Sequence, residues 1–180
     1  MEIAGLLDRE RTALVVIDMQ EAFRSVVEGF DAIAGRTVIL IRGARAIGLP
    51  VVVTEQYPHG LGSTVPELAE HLKGIQPVEK TVFSAVGAEG FDLAGRDQAV
   101  LCGIEAHICV SQTAHELLED GIEVHVARDA IGARDPADRE LGLRKMERAG
   151  AVETGVEAAL FELLRESGTP EFRQVQELVK

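Results

Sequence analysis

Two patterns of apolar residues alternate along the chain. Short unbroken runs rich in β-branched residues lie at 12–17 (TALVVI), 49–54 (LPVVVT), 99–102 (AVLC) and 122–127 (IEVHVA). Runs of this length and composition predict strands, those without polar alternation being buried on both faces. Between them, apolar residues recur at helical spacing: over 36–46 with Val38 and Ile41 and a stop at Gly48, and from about 107 through Val110, Ala114, Leu117 and Leu118 to Gly121. A third helix opens at Asp135-Pro136 and closes at Ala149 before Gly150, and a fourth spans 157–166. Thr64 with Pro66 and Glu67 predicts a short helix to about Leu72, 78–81 (VEKT) an extended piece, and 151–154 a short last strand. Gly29 and Gly35 predict a loop after Asp18, Met19, Gln20 and Phe23, and the turn-rich Glu55 to Gly62 predicts another. The tail, 168–180, reads as a weaker helix whose Phe172, Val175 and Leu178 suit an interface with a neighbouring subunit.

Strands alternating with helices predict an α/β fold: a Rossmann-like three-layer sandwich with about six mostly parallel strands and helices on both faces. Its strand ends gather at one edge, where open α/β sheets bind ligands. Asp18, Thr54, Lys80 and the turn at Gly103 all arrive there.

Composition narrows what such a fold would do. The chain has 180 residues, enough for one domain, 1–180, and 46% of them are hydrophobic. No linker, repeat or low-complexity segment divides it. No apolar run approaches the roughly 20 residues of a membrane span. Met1 to Glu10 lacks a basic start followed by an apolar block, so a soluble, cytoplasmic protein is expected. Eighteen basic against thirty acidic residues give a net charge of −12, which repels nucleic acid and anionic membranes. The expected partner is a small molecule. The two cysteines, Cys102 and Cys109, are expected to be reduced.

Candidate chemistry centres on 98–113 (QAVLCGIEAHICVSQT), where a strand stops at Gly103 and Cys109 falls in the first turn of the next helix. Unpaired N–H groups and the partial positive charge of a helix start favour thiolate, so the thiol is expected below its free pKa of about 8.5. Asp18, directly after a buried strand, can take the thiol proton, and Lys80 can hold the resulting anion. Each residue also has a plain structural reading: Cys109 as a small buried hydrophobe, Asp18 and Lys80 as an ion pair without catalysis.

Asp18 in VVIDMQEAF, Lys80 in VEKTVFSA and Cys109 in GIEAHICVSQT resemble, in order, the three signature regions of the isochorismatase-like cysteine hydrolases. DAIGARDPADRELGLRKMERAGA resembles the family's penultimate segment, and TEQYPHGLGST with GIEAHICV resembles the isochorismatase domain-containing subgroup. The resemblance covers nearly the whole chain. It implies an Asp18, Lys80 and Cys109 catalytic triad, a cis peptide between Ile104 and Glu105, and an oxyanion hole made by the backbone N–H groups of Glu105 and Cys109. Nicotinamidase members bind a metal through an Asp-x-His motif after the second strand. Here that place reads Thr54-Glu55-Gln56-Tyr57-Pro58, with only His59 nearby, so neither a metal nor another cofactor is expected. Members that cleave a vinyl ether need no cysteine, so Cys109 implies acyl chemistry: hydrolysis of a C–N bond in a carboxamide or related group through a Cys thioester. The alternative is a catalytically silent binding or scaffold member of the same fold. Phe23, Gln56, Tyr57 and Ser84 are expected to wall the substrate pocket. His107 reads as a turn residue, His115 and His125 as structural or exposed, and Glu105 as either bonding its own turn or pointing outward. Gly132 and Arg139 stand where relatives often carry serine and histidine. Relatives form dimers to octamers, which implies a homo-oligomer, a dimer or higher. A dinucleotide oxidoreductase is disfavoured, because Asp18-Met19-Gln20 follows the first strand in place of G-x-G-x-x-G.

Overall fold

A computed structural model describes residues 5–180; the first four residues of the N-terminal segment considered above lie outside the described residues. Six strands form one all-parallel sheet in the order β3-β2-β1-β4-β5-β6. They are β1 (Thr12–Ile17), β2 (Val51–Gln56), β3 (Val78–Lys80), β4 (Gln98–Ile104), β5 (Glu123–Gly132) and β6 (Val152–Thr154). Every residue of β1 and of β4 is buried, as two-sided cover by helices requires. Two-residue alternation sorts β1 between two cores: Leu14 and Val16 face one, Ala13, Val15 and Ile17 the other. The first core is closed by α1 (Phe30–Ile47), α6 (Val156–Leu164) and α7 (Pro170–Val179), the second by α4 (Ser111–Glu119) and α5 (Pro136–Ala149). Single helical turns, α2 (Pro58–Leu61) and α3 (Pro66–Ala69), lie in the connection from β2 to β3. Among the described residues no helix is long and apolar enough to cross a membrane.

Several boundaries differ from the sequence reading, each for a local reason. Helix α1 starts at Phe30, ahead of the expected 36, because Phe30, Ala34, Thr37, Ile41 and Ala44 bury one continuous face while Gly35 sits on the exposed side. Gly29, at φ 70°, supplies the left-handed turn just before it. The loop expected from Glu55 is shorter, since β2 continues to Gln56 and Tyr57 precedes one helical turn opened by Pro58. The helix expected over 64–72 is only the turn Pro66–Ala69. Strand β5 runs through Asp129, whose carboxylate accepts from the Val156 N–H and so caps α6. The tail helix α7 packs on its own chain: Val175 is fully buried in the first core, and the Phe172 ring meets Phe161 edge-on at 6.0 Å.

Candidate active site

The C-terminal ends of β1, β3 and β4 converge on one buried cluster. Asp18, the residue after β1, has φ 53° and is fully buried. Its backbone N–H donates to the Thr54 carbonyl at 3.1 Å, which ties it to β2. Its two carboxylate oxygens have different partners: the Thr54 hydroxyl donates to Oδ1 at 2.6 Å, and Lys80 Nζ to Oδ2 at 2.8 Å. Lys80, at the end of β3, reaches across β2 to make that bond. Its ammonium also donates to Gln56 Oε1 at 2.7 Å and to the Phe83 carbonyl at 2.9 Å. Two charges so deeply buried are tolerable because each is paired and hydrogen-bonded.

Cys109 lies near enough to this pair for both charges to act on its thiol. It lies in a turn of π-helix, Ala106–Val110, that leads into α4, so the expected ordinary first turn is replaced by a wider one. The Glu105 carbonyl at its base accepts from the N–H groups of both Ile108 and Val110. The peptide between Ile104 and Glu105 is cis. The thiol is only 7% exposed. Burial pushes its pKa up to about 12, the Asp18 charge adds to the rise, and the Lys80 charge opposes it. This overturns the expectation of a depressed thiol: desolvation and a facing carboxylate outweigh the helix start. Cys102 lies in the core on the opposite side of the sheet, so it does not face Cys109.

Three contacts hold the turn from the β5–α5 side. Glu105 neither bonds its own turn nor points outward; its carboxylate accepts from the Arg134 N–H and Nε, each at 3.0 Å. His107 Nε2 lies 3.6 Å from Asp138. Gly142 of α5 touches the turn backbone directly, since a Cβ there would lie 2.6 Å from the Ala106 carbonyl carbon. On the other side, the Thr113 hydroxyl donates to the Cys109 carbonyl at 2.7 Å and accepts from the Ala85 N–H. Close approach also fixes Gly103: at φ 120°, its added Cβ would lie 2.0 Å from the Ile17 carbonyl oxygen.

The four expected pocket residues separate. Gln56 is the partner of Lys80 and also donates to the Thr81 carbonyl at 3.0 Å. Phe23 packs against the first core. Ser84 is buried, and its hydroxyl donates to Glu116 at 2.7 Å while accepting from Val86 N–H. Tyr57 is exposed and lines a cleft of about 420 Å³ with His59, Glu79, Lys80, Val82 and Glu89, among others. Asp18 and Cys109 do not line that cleft; Lys80 borders both it and the buried cluster. Gly132 has Ile33 2.5 Å from where a Cβ would stand, which makes it a close-packing position, and Arg139 Nε donates to the Ile131 carbonyl at 2.8 Å, which ties α5 to β5. His115 bonds the Ser111 carbonyl and His125 is fully buried beside Glu123. Among the described residues no three of His, Cys, Asp and Glu are placed to share a metal ion.

A parallel sheet of this order, with an acid, an amine and a thiol gathered at the C-terminal ends of its strands, defines a Rossmann-like α/β class, and the isochorismatase domain model matches residues 12–158. The chain belongs to the isochorismatase-like family, within its isochorismatase domain-containing subgroup. It is 40% identical to mouse isochorismatase domain-containing protein 2A, over 98% of this chain and 86% of that one. A solved structure of the MAR1 ribonuclease from Caenorhabditis elegans superposes with a TM-score of 0.91 at 40% identity, covering 97% of this chain and 92% of that one. YcaC from Pseudomonas aeruginosa, solved with hexane-2,5-diol and covalent acrylamide, gives 0.87 at 25% identity over 99% and 93%.

Proposed function

We propose that the protein is a cysteine hydrolase that cleaves a C–N bond of a small carboxamide or related acyl compound. The observation that carries this reading is the fully buried Asp18–Lys80 pair set against the Cys109 thiol. A thiol whose pKa is pushed up to about 12 is protonated at neutral pH, so it needs a base at hand during the reaction. Asp18 takes the Cys109 proton as the sulfur attacks the acyl carbon. The developing oxyanion is held by the backbone N–H groups of Glu105 and Cys109, donors of a kind that contribute about 3 kcal/mol. Protonated Asp18 then gives its proton to the leaving amine, and a thioester remains on Cys109. Water, deprotonated by the same carboxylate, attacks the thioester; the acid leaves and the thiol is restored. Lys80, held by Asp18, Gln56 and the Phe83 carbonyl, steadies both Asp18 and the transient thiolate. The chemistry calls on no cofactor, and a reducing compartment such as the cytoplasm keeps the sulfur free.

The covalent acrylamide on the Pseudomonas relative supports a side chain in this fold that reacts with a small electrophile. The name of the nematode relative raises RNA cleavage as a second reading. A net charge of −12 disfavours a polyanionic substrate. One screen tests these together: small amides, imides and a single-stranded RNA, each with the intact protein and with Cys109→Ala. Amide or imide turnover that vanishes in Cys109→Ala is the expected result. RNA cleavage alone would replace the proposal. No turnover, with Cys109 no faster than Cys102 toward iodoacetamide below neutral pH, would leave the silent scaffold member of the fold.

A further inference from the structure

We propose that Thr54 is a positioning residue for the Asp18 base, its hydroxyl fixing the orientation of the carboxylate that faces Cys109. This inference rests on the reading above, in which Asp18 deprotonates Cys109. Thr54 is fully buried at the end of a run of three valines, Val51 to Val53. A fourth valine would serve the strand equally well, since it is β-branched and of the same size. The hydroxyl must therefore be explained by an acceptor, and that acceptor is Asp18 Oδ1 at 2.6 Å. Thr54 also accepts the Asp18 backbone N–H, so it grips both ends of a residue held at φ 53°.

The two-residue period of the strand extends the arrangement. Thr54 and Gln56 point to the same side of β2; one holds Asp18 at 2.6 Å and the other holds Lys80 at 2.7 Å. The intervening Glu55 points away and accepts from the Thr64 N–H and hydroxyl. Alternate residues of one strand thus fix the two charged members of the cluster separately. The titratable groups facing Asp18 are Lys80 from β3 and the Cys109 thiol from the turn after β4; β2 offers the uncharged Thr54.

A hydrogen bond to the ionised form of a carboxylate favours that form. Removal of the Thr54 hydroxyl is therefore expected to show in the pH dependence of Cys109 reactivity. The test is the pH profile of Cys109 alkylation by iodoacetamide, read by mass spectrometry of the peptide that carries it, in intact protein, Asp18→Asn, Thr54→Val and Thr54→Ser. The acidic midpoint reports the first proton lost by the coupled Asp18–Cys109 pair. Asp18→Asn is expected to abolish reactivity at neutral pH and leave only an alkaline rise. Thr54→Val is expected to move the acidic midpoint up by about one pH unit, from the loss of one hydrogen bond to a charged group. Thr54→Ser restores the hydroxyl and leaves the midpoint in place. A midpoint unmoved by Thr54→Val, or moved equally by Thr54→Ser, would overturn this inference while leaving Asp18 as base. Unchanged neutral reactivity in Asp18→Asn would remove the base itself, and this inference with it. If Thr54→Val does not fold, Thr54→Ala replaces it in the comparison.

Discussion

At Cys109 three influences compete, and their order decides how the residue behaves. Burial and the Asp18 charge both oppose thiolate, and Lys80 only partly offsets them, so the pKa is pushed up to about 12. Cys102, sealed inside the sheet, is pushed up as well, mainly by burial. In an unfolded chain both thiols would titrate near about 8.5. Above that pH the unfolded state has released protons that the folded state still holds, so stability must fall as pH rises; below it, both states hold them and the contribution is complete. The expected loss is about 1.4 kcal/mol per pH unit for each thiol until its folded pKa is reached. Urea unfolding midpoints measured across the alkaline range should therefore fall in the intact protein. They should fall less steeply in Cys109→Ala; equal slopes would show that the folded thiol is not held protonated. The sequence could place this sulfur near a strand end but not weigh these influences, because desolvation depends on how much chain closes over it.

At the scale of elements, the Cys109 turn is held by the helix that follows the next strand. Two helical glycines make this testable, because each lies at a close contact of a different kind. A Cβ on Gly142 would lie 2.6 Å from the backbone of Ala106, which the π-turn holds in place. A Cβ on Gly43 would lie 2.4 Å from a Leu160 methyl, the movable end of a side chain. Gly142→Ala is expected to destabilise by about 1–3 kcal/mol and to slow Cys109 alkylation as the turn shifts. Gly43→Ala should cost less, with the alkylation rate unchanged. A rate unaffected in a folded Gly142→Ala would mean that α5 does not set the turn. Legibility follows the same division. Continuous apolar runs gave β1 and β4 because burial on both faces leaves a direct imprint on composition. The start of α1 was hidden by Gly35, whose exposed position is invisible without the packing of Phe30 and Ala34. Asp18, Lys80 and Cys109 stood out through their motifs, but the Glu105–Arg134 pair spans 29 residues, carries no periodicity and appears only in three dimensions.

Across the whole molecule, the two faces of the sheet do different work. The face with α4 and α5 carries the Cys109 turn, while the face with α1, α6 and α7 supplies the other large core. The tail belongs to the second of these. Val175 is fully buried there, and Phe172 joins it through the edge contact with Phe161. Removing residues 168–180 would take Val175 and Phe172 out of this core and uncover Phe161 and the face of α1 beneath them. At about 1.5–3 kcal/mol for the burial of each large apolar side chain, losing the two from Phe172 and Val175 should cost about 3–6 kcal/mol. That is a substantial fraction of the roughly 5–15 kcal/mol by which domains are stable. The truncated protein should therefore unfold at markedly lower urea and bind a hydrophobic dye. Cys109 alkylation should nevertheless keep its pH profile under conditions where the protein remains folded, because the sheet separates α7 from the thiol. A tail whose main role was to join a neighbouring subunit would behave differently: truncation would change the size measured by gel filtration while leaving the urea midpoint in place. The intramolecular contacts of Val175 and Phe172 favour the first outcome, and the two measurements together distinguish a helix that completes its own core from one that completes an assembly.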